Sequence, residues 1–184
     1  MRTIEDYIKE ESEGIIFCKI GKSNRTAGRK GNYCPYHNYL GNVITSYNDP
    51  FTFERLDDAI KYLHYGDELV IFNFTEAASL LKENAYYDNG LNKGCYQAQK
   101  LYVKEILSFR KASTIDFIYQ HLQDKTYFYE CSNISISQLE ESNLFDAANR
   151  WKELANVHTA TNENIDINRN IDKYISAVTK FFRK

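Results

Sequence analysis

The segment ELVIFNF, Glu68 to Phe74, constrains the fold of this chain more than any other. Leu69, Val70, Ile71 and Phe72 are consecutive apolar residues, in a run too short for a stable helix and set off by Gly66. With no polar alternate, such a strand hides both faces, so it predicts a central strand covered above and below. The flanks agree. Asn48-Asp49-Pro50 breaks the chain, and Phe53, Leu56, Ile60 and Leu63 then recur at helical spacing up to Gly66. TEAASLLKEN reads as a second helix capped by Thr75. GIIFCKI, before Gly21, reads as another buried strand. This strand–helix–strand–helix block implies a crossover onto a sheet.

The remaining elements follow from caps and periods. A first helix is expected over Ile4 to Glu13, with Thr3 and Asp6 as its capping box and Gly14 as its terminator. GKSNRTAGRKGN, Gly21 to Asn32, carries loop signals throughout, and YCPYHNYLGNVITSY reads as one or two strands. YYDNGLNKG is a turn-rich loop. The stretch YQAQKLYVKEILSFRK predicts a long helix, facing inward through Ala98, Leu101, Tyr102, Ile106 and Phe109. STIDFIYQH and KTYFYE predict two strands of a hairpin. Ser137 and Glu140 suggest a capping box. Leu144, Ala148, Trp151 and Ala155 form one helical stripe, and Ile167, Ile171, Tyr174, Val178 and Phe182 another. The expected fold class is α+β (or mixed α/β), a central sheet with a helical C-terminal third. The 184 residues are expected to form a single domain, 1–184, with a mixed core over 1–134 and a helical portion over 135–184 packed on it.

Composition excludes several classes. Hydrophobic residues at 43% and aromatics at 15% are too rich for a disordered chain, and a net charge of −2 is not that of a polycation. No run approaches the roughly 20 apolar residues of a membrane helix, and MRTIEDYIKEESEG lacks the apolar region of a signal peptide. The cysteines Cys18, Cys34, Cys95 and Cys131 are scattered, as expected of thiols in a reducing compartment. A cytoplasmic protein is expected, with no membrane partner. Asn occurs 17 times and Tyr 15 times, a bias typical of AT-rich coding DNA in phages, mobile elements and low-GC bacteria.

Charge is strongly segregated. From Gly14 to Asn48 there is no Asp or Glu but five cations, Lys19, Lys22, Arg25, Arg29 and Lys30. From Asp49 to Asn92 there are nine acids against three bases. Lys22, Arg25, Arg29 and Lys30 are therefore candidate phosphate contacts, with Asn32, Tyr33, Tyr36 and His37 beside them to contact phosphates and stack on bases. A solvated loop answering nearby acids is the plainer alternative. Glu54, Asp57 and Asp58 raise a metal question, since Glu54 and Asp58 stand i to i+4 in the predicted helix. The alternative is a solvent face with Asp57 placed to pair Lys61. Cys34-Pro-Tyr-His37 has the spacing of half a zinc site, but no second ligand pair exists, so no metal site is assigned. Tyr86 and Tyr87 with Asp57, Asp58 and Asp88 are candidate partner anchors.

The stretch ERLDDAIKYLHYGDELVIFNFTEAASLL resembles part of a ribonuclease H-like domain, with its helix, glycine turn, apolar strand and following helix. The resemblance implies nucleic-acid binding or RNA cleavage with divalent metal, on carboxylates drawn from Glu54, Asp58, Asp116 and Asp146. The chain departs from that pattern. IIFCKIG has no acid, and Asn73 stands where an Asp is expected. In size and character the chain also resembles phage-borne inhibitors of bacterial defence, including anti-CRISPR proteins. That likeness implies an interaction protein without cofactor, binding a bacterial protein or ribonucleoprotein complex. RNA or DNA is the further partner to weigh. A ribonuclease H-like enzyme is the alternative.

Overall fold

The computed structural model describes residues 2–23, 25–26, 36–82, 87–89 and 95–156. The α+β class holds. In chain order the elements are α1 (Ile4–Ser12), β1 (Phe17–Lys22), β2 (Arg25–Thr26), a 3-10 turn Tyr36–Tyr39, β3 (Val43–Thr45) and β4 (Phe51–Arg55). There follow α2 (Leu56–Ala59), a 3-10 segment Ile60–Tyr65, β5 (Glu68–Asn73), α3 (Ala78–Leu81), β6 (Tyr87–Asn89), β7 (Cys95–Ala98) and β8 (Lys100–Ser108). Helices α4 (Ala112–His121), α5 (Thr126–Glu130), α6 (Ser132–Glu141) and α7 (145–156) complete the described chain.

The strands form one sheet in the order β3-β8-β5-β1-β4-β7-β6, with β2 paired to β1. Every pairing is antiparallel. Because β4 and β5 flank β1 and both oppose it, they run parallel to each other, so α2 and the 3-10 segment carry the chain across β1. This is the expected crossover. Strand β5 lies inside the sheet, and all six of its residues are buried. Leu69 and Ile71 join a core with α2, α4, α5, α6 and α7, around Ile115, Phe128 and Trp151. Val70 and Phe72 join the opposite core, with Tyr7 of α1, Leu81 of α3, Phe17 and Phe53. Burying each such side chain stabilises by about 1.5–3 kcal/mol, so a strand that hides both faces organises the molecule.

Other elements depart from the sequence reading for identifiable reasons. The helix expected from Phe53 begins at Leu56. Phe53 lies in β4 and faces the opposite core from Leu56, Ile60 and Leu63. The long helix expected over YQAQKLYVKEILSFRK is instead β7 and β8. Tyr96, Ala98, Leu101 and Val103 are buried at period two. Opposite them, Ile71 pairs Glu105 while Phe72 pairs Val103, which leaves Lys104 as an extra residue. That bulge breaks the alternation and leaves apolar spacings that imitate a helix. The hairpin expected from STIDFIYQH and KTYFYE is α4 and α5. Thr114, Ile115, Ile118 and Leu122 line one helical face, so tertiary packing overrides the β-branched composition.

Ser137 lies inside α6 and donates to Glu141, so it caps nothing. Past the end of α6, Asn143, with a φ of 57°, makes the left-handed turn that lets Leu144 N–H reach the Leu139 carbonyl at 2.8 Å. The stripe Leu144, Ala148 and Trp151 is buried as expected. Its continuation beyond residue 156 lies outside the described residues. The loop expected over Gly21 to Asn32 begins as a hairpin, with Lys22 opposite Arg25. YCPYHNYLGNVITSY supplies one described strand, β3, after a 3-10 turn. YYDNGLNKG contributes β6.

Helix α1 is bound to the sheet by charge as well as packing. Thr3 N–H donates to Asp6 Oδ2 at 2.7 Å, completing the expected capping box. Glu10 is held between Arg2 and Arg55, the latter at 2.8 Å, and Arg2 lies over the Tyr7 and Tyr96 rings at 4.6 and 5.1 Å. Glu11 accepts from Phe74 N–H at 2.8 Å, Thr75 N–H at 2.7 Å and the Thr75 hydroxyl at 2.6 Å. Thr75 is thereby committed to α1, and α3 starts only at Ala78.

Candidate functional site

The acids singled out in sequence take up different contacts, although Glu54 and Asp58 remain close enough to interact by charge. Glu54 stands on β4 as the Cα partner of Cys18, not on a helical turn with Asp58. Burial pushes its carboxyl above the usual range, against the pull of Lys19. Burial, then the charge of Glu54, raises the Cys18 thiol well above its ordinary value. Asp57 does not pair Lys61. Its Oδ1 accepts the N–H groups of Gln123 and Asp124 at 3.1 Å and so fixes the turn after α4. Asp58 takes Lys61 instead, at 3.0 Å. Asp116 is bound to Arg150 at 2.7 Å, joining α4 to α7, and Asp146 is exposed on α7. Among the described residues no three His, Cys, Asp or Glu side chains come together to hold a metal ion, so the acid set of the ribonuclease H-like reading does not assemble there. Asn73, at the position where that reading wants an acid, accepts Glu76 N–H at 2.7 Å and shapes the turn after β5.

Two arrangements were not evident in the sequence. The first is a surface of tyrosines. Tyr62, Tyr65 and Tyr127 are all exposed. Tyr62 and Tyr65 pack at 5.8 Å between centroids, and the Lys61 ammonium lies 4.7 Å over the Tyr127 ring while also bound to Asp58. Lys61, next to Tyr62 in the chain and over the Tyr127 ring of α5, links the two groups of rings. The available signal was two tyrosines on the polar side of the Leu56/Ile60/Leu63 stripe. Of the anchors named in sequence, Asp58 lies at this face, Asp57 is taken by the turn after α4, Tyr87 and Asp88 are in the edge strand β6, and Tyr86 falls outside the described residues.

The second arrangement surrounds the Gly66–Asp67–Glu68 corner. Asp67 N–H donates to the Gly21 carbonyl at 2.9 Å, Ser23 N–H donates to Asp67 Oδ1 at 2.9 Å, and Phe109 N–H donates to the Asp67 carbonyl at 2.9 Å. Buried Glu68 contacts His37 Nε2 at 2.8 Å. Lys22 is exposed at the end of β1, and Arg25 is on β2. Arg29 and Lys30 lie outside the described residues. Lys19, the fifth cation of the acid-free stretch, is buried and donates to the Thr52 carbonyl and hydroxyl at 2.9 and 2.7 Å.

Cys18 and Cys131 are unbridged, and Cys34 of the half zinc pattern lies outside the described residues. An open groove of about 490 Å³ between α5, α6 and α7 is lined by Tyr129, Ser132, Ile136, Glu140 and Lys152. Burial and its 2.7 Å bond to the Tyr119 hydroxyl push the Tyr129 phenol up to about 12. No described helix is long and apolar enough to cross a membrane. No family model, curated protein or solved structure matches this chain.

Proposed function

We propose that this chain is an interaction protein that docks through the tyrosine face of Tyr62, Tyr65 and Tyr127. The observation that carries this reading is that face itself. Three exposed rings with Lys61 and Asp58 among them combine apolar area with a few fixed charges, the composition of an interface centre. Among the described residues no three of the candidate acids gather into a metal site, which favours binding over catalysis. The partner class follows from the likeness to phage-borne inhibitors: a bacterial nucleic-acid-processing defence complex, engaged in the cytoplasm as by an anti-CRISPR protein.

The test is capture from bacterial lysate, with and without nuclease, using the wild-type chain and a Tyr62→Ala/Tyr127→Ala variant. A specific partner retained after nuclease treatment and lost from the variant bears the proposal out. Losing two interface anchors weakens binding by about 30-fold or more. Equal recovery by both proteins, or no specific partner, refutes it.

A further inference from the structure

We infer that the corner joining the β1–β2 hairpin, the start of β5 and the β8–α4 turn binds the phosphate backbone of single-stranded nucleic acid. This goes beyond the proposed protein docking and rests on different charged side chains, sharing only the Tyr62–Tyr65 pair with that face. Two cationic segments far apart in sequence meet here. Ser23 N–H is held by one oxygen of Asp67, and Arg110 lies 4.0 Å from the other. Lys22 precedes Ser23, and Lys111 follows Arg110 at the turn into α4. Lys22, Arg110 and Lys111 are all exposed, Arg110 at 73%.

The acids of the corner do not cancel them. Glu68 is buried against His37, and Asp67 is only 25% exposed, with Oδ1 occupied by Ser23. A 4.0 Å contact through one nitrogen leaves most of the Arg110 fork open to an anion. The surface thus presents three cations against one partly covered carboxylate. Lys22 itself belongs to a 35-residue stretch, Gly14 to Asn48, that contains no acid. Tyr65 stands one residue before Gly66, its exposed ring packed at a tilt against Tyr62, 5.8 Å between centroids. Cations beside an exposed aromatic pair suit a single strand, whose phosphates track the charge while an unstacked base lies on a ring.

The experiment titrates the full chain into labelled oligo-U, oligo-dT and a duplex of equal length, following anisotropy across a salt series. The variants are Lys22→Ala/Arg110→Ala/Lys111→Ala and, as a remote control, Lys9→Ala/Lys82→Ala/Lys104→Ala. All six side chains are exposed, and thermal melts check that each variant remains folded. Wild type should bind both single strands more tightly than the duplex. Its slope of log affinity against log salt should be about −2, as three phosphate contacts to a single strand require. The corner variant should lose at least about tenfold in affinity and most of that slope, while the remote variant should keep both. Absence of binding at low salt, tighter binding of the duplex, or equal losses in the two triple variants overturns the inference. Binding of oligo-U alone would move the contact from phosphate to the 2′-hydroxyl and overturn it as well. None of these results depends on the lysate capture, so the two readings fail separately.

Discussion

Replacing Gly66 by Ala tests the packing that sets the basic corner in place. Gly66 has an extended backbone, φ −172°, which any residue adopts, so conformational strain is not the issue. Space is. A Cβ on Gly66 would lie 1.8 Å from the Gly21 carbonyl oxygen and 2.3 Å from its carbon. Both are backbone atoms, so no side chain can swing aside, and β1 must retreat by roughly 1 Å to clear the contact. That retreat stretches the 2.9 Å bond from Asp67 N–H to the same oxygen. Overpacking of this kind costs about 1–3 kcal/mol and a lost backbone hydrogen bond about 1 kcal/mol more, so Gly66→Ala should destabilise by about 3 kcal/mol. Gly41→Ala is the control. Gly41 has φ 75° with open space around it, so only the left-handed backbone is penalised, at about 1 kcal/mol. Urea unfolding followed by circular dichroism measures both. The reasoning is refuted if Gly66→Ala costs no more than Gly41→Ala.

Trp151, the single tryptophan, stacks on Phe128 at 4.1 Å and donates to the Ser132 hydroxyl at 3.0 Å, so Trp151→Ala should cost about 3–5 kcal/mol in the same unfolding assay, and a loss under 1 kcal/mol would contradict its placement. Glu54 carries a raised carboxyl pKa, so the folded state holds its proton more tightly than the unfolded chain does. Its contribution is therefore fully present below the ordinary carboxylate range and is lost as pH rises through the folded value. Glu54→Gln should accordingly match wild type in acid and exceed it near neutrality, measured as urea midpoints across pH; lower stability at neutral pH would show that attraction to Lys19 outweighs desolvation.

Local signals were legible wherever one short segment held all the physics. The Thr3/Asp6 box starts α1 because donor and acceptor are three residues apart. Leu144, Ala148 and Trp151 lie on one helical face and are buried together. Leu69 to Phe72 required two covering layers, and two cores meet on that strand. The errors arise where the deciding contact is distant. Lys104 shifts the alternation of β8 only because it bulges against β5, and Thr75 yields its caps to Glu11, an acid 64 residues away. Of the sites, the charge segregation that marks Lys22 was visible in the chain, and so were the acids Asp57 and Asp58. Their roles were not, since Asp57 serves backbone amides at Gln123 and Asp124. Sequence by itself determined the central strand, the α+β class and the acid-free basic stretch, because hydrophobic period and charge are properties of neighbouring residues. Only the tertiary structure decided that Arg110 meets Ser23 around Asp67 and that Tyr127 joins Lys61. Those contacts come from antiparallel strands and packed helices that bring together residues dozens of positions apart.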